Sequence, residues 1–388
     1  MAELIVPGDA VALDGPVPGD PLRLLSPLTR ALGREGPAVV VRTSGSTGRA
    51  KRTVLTRDAL AASSMATAVR TDGVGQWLLA LPVHYVAGLQ VLVRSLYAGT
   101  DPVVLDPAAR FTPEAFAAAA EELEDPVRFT SLVPTQLQRI LEPASGVRNG
   151  DAVSALKSFS AVLLGGSAAP PRLLAAARAA DVRVVVTYGM SETCGGCVYD
   201  GVPLDGVSVH VGTEGAEDDV PRPGITGGSG PGRIWLGGDV VAAGYARDPE
   251  QTARHFREAA GTRWYRTDDL GEISADGVLT VHGRVDDVVN TGGVKVAAGL
   301  VTAALTEHPG VRQALVLGVS DPEWGQAVGA AVVAAPGADR RRLRAELEES
   351  VRARHGAAAV PRRWAWPDEL PLLPTGKPDR AAVGRLLG

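Results

Sequence analysis

The sequence predicts an α/β protein in which a large N-terminal domain of mixed β-sheets packed with helices, carrying a β-rich subdomain, precedes a small mobile α+β domain. Three observations predict it. Over the first half, short Val/Leu-rich runs alternate with alanine-rich helical stretches, the pattern of a parallel sheet covered on both faces. After about residue 198 the chain turns into strand-like runs separated by glycine-rich turns. The last hundred or so residues combine two strand-like runs with one amphipathic helix, enough for a small second core.

Each element has its own warrant. The apolar runs at 38–41, 77–81, 102–105, 129–133, 161–164 and 183–187 have strand length and composition, and 113–123 and 171–180 open on proline and continue in alanine as helices do. Residues 207–283 read as the β-rich subdomain, with an acidic, glycine-rich loop at 214–232. The first domain is expected to span 1–283 and the second 284–388. In the latter, 311–319 and 327–334 read as strands, 340–354 as a helix and the proline-rich end as loop.

With 388 residues the chain can bury a full core and still carry a second domain. Lys and Arg number 39 against 44 Asp and Glu, a net charge of −5 without a basic block, which argues against nucleic acid or an anionic membrane as the main partner. The two cysteines, Cys194 and Cys197, are too few for a disulfide framework, and the start has no basic segment leading into a long apolar run. From these two features a reducing cytoplasm is the expected compartment, and with no apolar stretch of about 18 residues no membrane insertion is expected. The sequence leaves the oligomeric state open, with a homodimer among the options.

The most informative segment follows the 38–41 run: Thr43, Ser44, Gly45, Ser46, Thr47, Gly48, Arg49, Ala50 and Lys51. Hydroxyls, backbone N–H groups unshielded at the glycines and one ammonium form a cradle for polyphosphate. The Walker pattern fails, because Ala50 and Arg52 stand where glycine and a magnesium-binding hydroxyl would be needed. Alone, the segment also reads as a flexible Ser/Gly turn. Further motifs follow in order: Tyr188, Gly189, Met190, Ser191, Glu192 and Thr193; Gly244 and Tyr245; Tyr265 through Gly271; Gly283 through Asp287; and Pro374, Thr375, Gly376 and Lys377. Together they resemble the signatures of the adenylate-forming superfamily, which contains acyl-CoA synthetases, luciferases and nonribosomal peptide adenylation domains.

The resemblance implies activation of a carboxylic acid by ATP to an acyl adenylate, then transfer to a thiol. By resemblance the 43–51 loop holds the β- and γ-phosphates and Glu192 helps hold Mg²⁺, a hard cation suited to carboxylate and phosphate oxygens. Ser191 reaches the α-phosphate, and Tyr188, Gly189 and Met190 flank the adenine. Asp269 accepts the ribose hydroxyls with help from Arg284. The Gly165, Gly166, Ser167 and Ala168 turn borders adenine and acyl group. Lys377 is the catalytic lysine that bridges carboxylate and α-phosphate. Asp286 matches the hinge, and Gly292 and Gly293 the segment that lets the pantetheine arm of coenzyme A pass. Two positions depart from the family pattern. Ala50 replaces a proline, and Asp268 replaces the glycine before the ribose acid, leaving Asp268 and Asp269 to be told apart. The Thr-Ser-Gly motif also comes early, so part of the usual N-terminal subdomain is expected to be absent.

The segment from Leu81 to Gly99 is similar to the acyl-pocket region of o-succinylbenzoate–CoA ligases of menaquinone biosynthesis, in a compact actinobacterial form. That likeness implies o-succinylbenzoate, ATP and coenzyme A as substrates. Arg94 carries the physical argument: an arginine inside the apolar run LQVLVRSLYAG is costly to bury without an anion, and this acid keeps a second carboxylate after the first is activated. Solvent or a structural aspartate are the other partners open to it. His84, Tyr85, Gly165, Gly166 and Gly189 are expected to line the same pocket. The alternatives are another aryl- or acyl-CoA ligase, an enzyme loading a carrier protein and, more remotely, an inactive nucleotide-binding sensor. Cys194 and Cys197 have no second pair with which to build a four-thiolate zinc site, and small-residue packing accounts for them.

Overall fold

The computed structural model describes residues 4, 6–43, 51–106, 110–141, 149–212, 220–227, 230–373 and 376–388. Among them four sheets organise the chain. The central sheet runs in the order Val202–Pro203, Gly195–Tyr199, Val184–Met190, Ala161–Leu164, Arg128–Leu132, Gln76–Leu79 and Val103–Val104. From Val184–Met190 onward the neighbours are parallel, whereas Gly195–Tyr199 turns back antiparallel. Five of the six anticipated runs contribute a strand to this sheet, and the sixth, at 38–41, forms a strand of a smaller one. Because side chains alternate across a strand, Trp77, Leu79, Phe129 and Leu163 enter one core while Leu78, Leu132, Val162 and Leu164 enter another. The first core takes Leu60 and Leu89 from helices Arg57–Arg70 and Val86–Ala98, and the second takes Phe116 and Leu173 from Pro113–Glu121 and Pro171–Ala179. The sheet is covered on both faces, as its unbroken apolar strands require.

A smaller sheet, in the order Val11–Leu13, Pro37–Thr43, Lys51–Thr56 and Gly244–Tyr245, carries the two ends of the proposed phosphate loop. Thr43 and Lys51 face each other in its register. The β-rich subdomain forms where the glycine-rich texture predicts it, except that Ile225–Gly227, inside the stretch expected as loop, is a strand paired parallel with Ser208–Val211. Ile225–Gly227, Ser208–Val211, Gly232–Gly237, Thr262–Ile273 and Phe256–Ala259 lie side by side, and Leu279–Arg284 also pairs with Thr262–Ile273.

The small C-terminal domain is built on the hairpin Val311–Asp321 with Gly325–Ala334, joined by Val288–Thr291, Val294–Ala297 and Arg363–Ala365. Helices Ala298–Thr306 and Arg340–His355 cover one face. The expectation of a loop-like end needs correction, because Arg380–Leu387 is a helix. Asp379 caps it by accepting the Ala382 N–H at 2.9 Å, and Val383 and Leu387, one turn apart, bury against Leu317, Ala331 and Val333 on the sheet's other face. Eight residues have too little intrinsic helicity to stand alone, and this tertiary contact supplies the rest.

Candidate active site

The strand Val184–Met190 ends at the cleft between the domains, and its Tyr188 donates a hydrogen bond to Asp269 Oδ2 at 2.7 Å. Asp269 stands opposite Arg284 in the register of two antiparallel strands, with a guanidinium nitrogen 3.8 Å from Oδ1. Burial pushes the Asp269 carboxyl up, while the Tyr188 hydrogen bond and Arg284 work against that shift. The neighbouring Asp268 makes other bonds: it accepts from Arg233 at 2.5 Å and Arg284 at 3.3 Å. Burial pushes its carboxyl up too, but His255, Arg233, Arg284 and Lys51 bring it below the ordinary value. The two acids, ambiguous in sequence, are thus distinguished by strand alternation. Asp268 is occupied by cations; Asp269 meets Tyr188.

Lys377 reaches this cluster from the C-terminal domain. Its Cε lies 3.5 Å from where a Cβ on Gly166 would stand, and Gly165 takes the preceding place against Thr187. The loop is held by backbone bonds from Leu373 N–H to the Lys377 carbonyl and from Gly376 N–H to the Leu373 carbonyl, both 2.8 Å. Thr135 on the large domain donates to the Gly376 carbonyl at 3.4 Å. Two more bonds cross the same boundary: Arg172 to the Val311 carbonyl at 2.9 Å and Gln313 to Gln138 at 2.8 Å. Although Lys377 is open to the solvent of the cleft, the surrounding protein desolvates its ammonium and lowers its pKa, with Asp269 opposing and Arg284 adding to the shift. Gly166, Ser167 and Ala168 are exposed beside it.

Below the Tyr188 strand, Ser191–Thr193 forms a single 3-10 turn that buries Ser191 and Glu192. Met190 N–H donates to Thr193 Oγ1 at 3.0 Å and fixes the entry to that turn. Glu192 Oε1 accepts from the Tyr245 hydroxyl at 2.8 Å, and the Lys51 ammonium sits 5.0 Å from the centre of the Tyr245 ring. Carboxylate, phenol and lysine are therefore gathered at the end of the Lys51–Thr56 strand. Thr43 lies across from Lys51; Ser44, Gly45, Ser46, Thr47 and Gly48 lie outside the described residues. One carboxylate with room for substrate oxygens fits Mg²⁺ better than a closed protein cage, and among the described residues no group of three or more His, Cys, Asp or Glu side chains forms such a cage.

The acyl-pocket candidates divide. His84 and Tyr85 pack ring against ring at 4.0 Å just before helix Val86–Ala98; burial lowers the His84 pKa and raises that of Tyr85. Arg94 lies about two and a half turns further along that helix. It is 7% exposed, donates to Thr67 Oγ1 at 3.1 Å, and stacks on Trp77 with its guanidinium carbon 5.1 Å from the ring centre. Neither solvent nor an aspartate takes the charge, and among the described residues no acid pairs with it. Gly189 packs against the returning strand, where a Cβ would overlap the Gly195 carbonyl.

Gly292 and Gly293 form the turn between Val288–Thr291 and Val294–Ala297 with φ of 59° and 85°. A Cβ on Gly292 would overlap the Trp324 ring, whereas one on Gly293 would meet open space. Among the described residues no hydrogen bond or ion pair joins this turn to Asp269 or Gly166. Asp286 lies in the 3-10 turn Val285–Asp287 and meets Arg284 at 3.4 Å. Cys194 and Cys197 are fully buried, and burial pushes both thiols up, that of Cys197 to about 12. They are packing residues. Sequence reasoning missed Tyr245 as a partner of Glu192 and missed Gln90, whose side chain donates to the Cys194 carbonyl at 2.5 Å. The Gly-Tyr pair at 244–245 was a signal for the first; nothing local marks the second.

A fold of this layering, with an acid, a tyrosine and a lysine from three separate segments converging on one interdomain cleft, defines an enzyme of the adenylate-forming ligase class. Residues 5–246 match the family described as AMP-binding enzyme and residues 301–377 its C-terminal domain, and the chain belongs to that family. It is 44% identical over 351 residues to a probable 2-succinylbenzoate–CoA ligase of Mycobacterium tuberculosis, covering 90% of this chain and 84% of that one. Among solved structures it resembles the o-succinylbenzoate CoA synthetase of Bacillus subtilis in complex with its acyl-adenylate intermediate, with TM-score 0.71, 26% identity, and 90% and 69% of the two chains covered. It also resembles an amide bond synthetase of Marinactinospora thermotolerans, with TM-score 0.74, 30% identity, and the same shares covered.

Proposed function

We propose that this protein ligates o-succinylbenzoate to coenzyme A in two half-reactions at one site, serving menaquinone biosynthesis in the cytoplasm. The succinyl carboxylate attacks the α-phosphorus of ATP, the bond to the bridging oxygen breaks, and pyrophosphate leaves. The coenzyme A thiol, losing its proton, then attacks the acyl carbon and AMP departs. Asp269 accepts the ribose hydroxyls, with Arg284 beside it and Tyr188 orienting its carboxylate. Gly165, Gly166, Ser167, Ala168, Gly189 and Met190 wall the adenine and acyl group. Residues 43–51 hold the β- and γ-phosphates, with Ser191 on the α-phosphate.

Lys377 neutralises the charge that develops between carboxylate and phosphate, an electrostatic role that needs it protonated. Glu192, oriented by Tyr245, is the residue to hold Mg²⁺, which supplies charge neutralisation for the polyphosphate. The large domain extends to about 283 and the small one from 284. A hinge at Asp286 withdraws Lys377 after the first step and brings Gly292 and Gly293 in for the second. These parts lie within one chain, and a homodimer is compatible with them.

The observation that carries the choice of acid is Arg94, a buried cation without an acidic partner among the described residues. A monocarboxylic fatty acid has no use for such a charge; o-succinylbenzoate has a second carboxylate to meet it. The second reading, a different acid or acceptor, is favoured by the likeness to an amide bond synthetase. Release of AMP and pyrophosphate with Mg-ATP and coenzyme A, measured for o-succinylbenzoate beside benzoate, salicylate and a medium-chain fatty acid, tests it. Selective turnover of o-succinylbenzoate is expected, and preference for another acid would discard this substrate while keeping the adenylating chemistry.

A further inference from the structure

Arg94 is held entirely by neutral groups. Its Nη2 donates to Thr67 Oγ1 at 3.1 Å, and Thr67 and Tyr199 bring their hydroxyl oxygens within 2.9 Å of each other. The proton positions follow from counting. Thr67 has one hydroxyl proton, and it goes to the Ser63 carbonyl at 2.8 Å, one turn back on helix Arg57–Arg70. Thr67 Oγ1 is therefore the acceptor toward both Arg94 and Tyr199, and Tyr199 must be the donor. With its proton committed, the Tyr199 oxygen offers only lone pairs to the guanidinium, which favours the charged form of Arg94 against the desolvation that lowers its pKa.

Thr67 and Tyr199 are each 1% exposed, and Trp77 closes one flat face of the guanidinium. Arg94 Nε is buried without a partner. A guanidinium has five N–H donors in a fixed plane, and this plane is pinned at one edge with its charge unspent. One turn earlier on the same face of the helix, Gln90 binds the Cys194 carbonyl, just beyond the Ser191–Thr193 turn at the proposed nucleotide site. Arg94 thus shares a helix face with Gln90, which meets the chain two residues beyond Glu192.

We propose that Thr67 and Tyr199 are positioning residues that fix the plane of the Arg94 guanidinium and thereby set the preference of this enzyme for acids bearing a second carboxylate. The proposal rests on the reading of Arg94 given above. A structural hydroxyl pair would affect every substrate alike; a positioning pair affects only the acid whose second carboxylate meets Arg94.

The test uses two acids that differ by one group: o-succinylbenzoate, and 3-benzoylpropionate, which lacks the ring carboxylate. For Thr67→Val and Tyr199→Phe, KM for o-succinylbenzoate is expected to rise about 10-fold or more, the range for a lost hydrogen bond to a charged group, with kcat and the KM for ATP within about 2-fold of wild type. The KM for 3-benzoylpropionate should not move, and Thr67→Ser, which keeps the hydroxyl, should restore the wild-type value. Equal losses with both acids, or a parallel rise in KM for ATP, would overturn the proposal by showing a merely structural role. Wild-type constants in both variants, in an enzyme that does distinguish the two acids, would overturn it alone. A wild-type enzyme indifferent to the ring carboxylate would remove the reading of Arg94 and this proposal with it.

Discussion

Lys377 and Asp269 occupy one cleft but are perturbed in opposite senses, and this gives the clearest expectation for single residues. Desolvation lowers the Lys377 pKa and raises that of Asp269. The proposed chemistry needs the lysine protonated and the aspartate ionised. Adenylation should therefore decline with rising pH at values below the ordinary lysine value of about 10.4, and ATP binding should weaken with falling pH from above the ordinary aspartate value of about 3.9. Stopped-flow adenylation rates across pH check both limbs. Lys377→Ala should slow adenylation about 10²–10³-fold, the loss seen when one electrostatic donor is removed, while leaving thioester formation from supplied acyl adenylate near wild type. Survival of both half-reactions would take the lysine out of the mechanism. Asp269 was named from motif register alone, and the partition of Asp268 to Arg233 became visible only in the fold. That partition depends on which strand lies beside Thr262–Ile273, and a local sequence carries no such information.

At the scale of elements, strands and helices announced by composition formed where expected, because an apolar run of strand length in a doubly covered sheet has few alternatives. The C-terminal helix was illegible for the opposite reason: Pro371, Pro374 and Pro378 dominate the preceding segment, and its stability comes from burying Val383 and Leu387 on a distant sheet. The Gly292–Gly293 turn shows how a motif serves two demands. Its positive φ values satisfy a two-residue hairpin whatever happens at coenzyme A. Gly292→Ala should lower stability by about 1–3 kcal/mol because the Cβ meets Trp324 as well as an unfavourable φ. Gly293→Ala meets open space and should cost only the backbone term of about 1–2 kcal/mol. Single-turnover kinetics then separate the roles. Slowed thioester formation with unchanged adenylation in Gly293→Ala supports passage of the pantetheine arm, and unchanged thioester formation reduces the motif to a turn.

At the scale of the whole molecule, Thr135, Arg172 and Gln138 of the large domain hold the small domain with Lys377 at the cleft, the arrangement that the proposed first half-reaction would use. In the proposed mechanism the second half-reaction has these contacts break and the chain turn at Asp286. Proline fits the first turn of a short helix but forbids rotation about φ. Asp286→Pro is expected to adenylate at close to the wild-type rate and to lose most thioester formation; equal loss of both would place the hinge elsewhere. The order of motifs was legible in the sequence, whereas the arrangement in which Lys377 meets the large domain was not, since it depends on three long-range hydrogen bonds. In the proposed reaction one site makes an o-succinylbenzoyl adenylate and passes it to coenzyme A. Mass spectrometry of the enzyme mixed with Mg-ATP and o-succinylbenzoate, before and after coenzyme A is added, tests this. The expected result is o-succinylbenzoyl-AMP without coenzyme A, converted to the thioester with matching release of AMP when it is added. Thioester formed without a prior adenylate, or no adenylate from this acid, would contradict it.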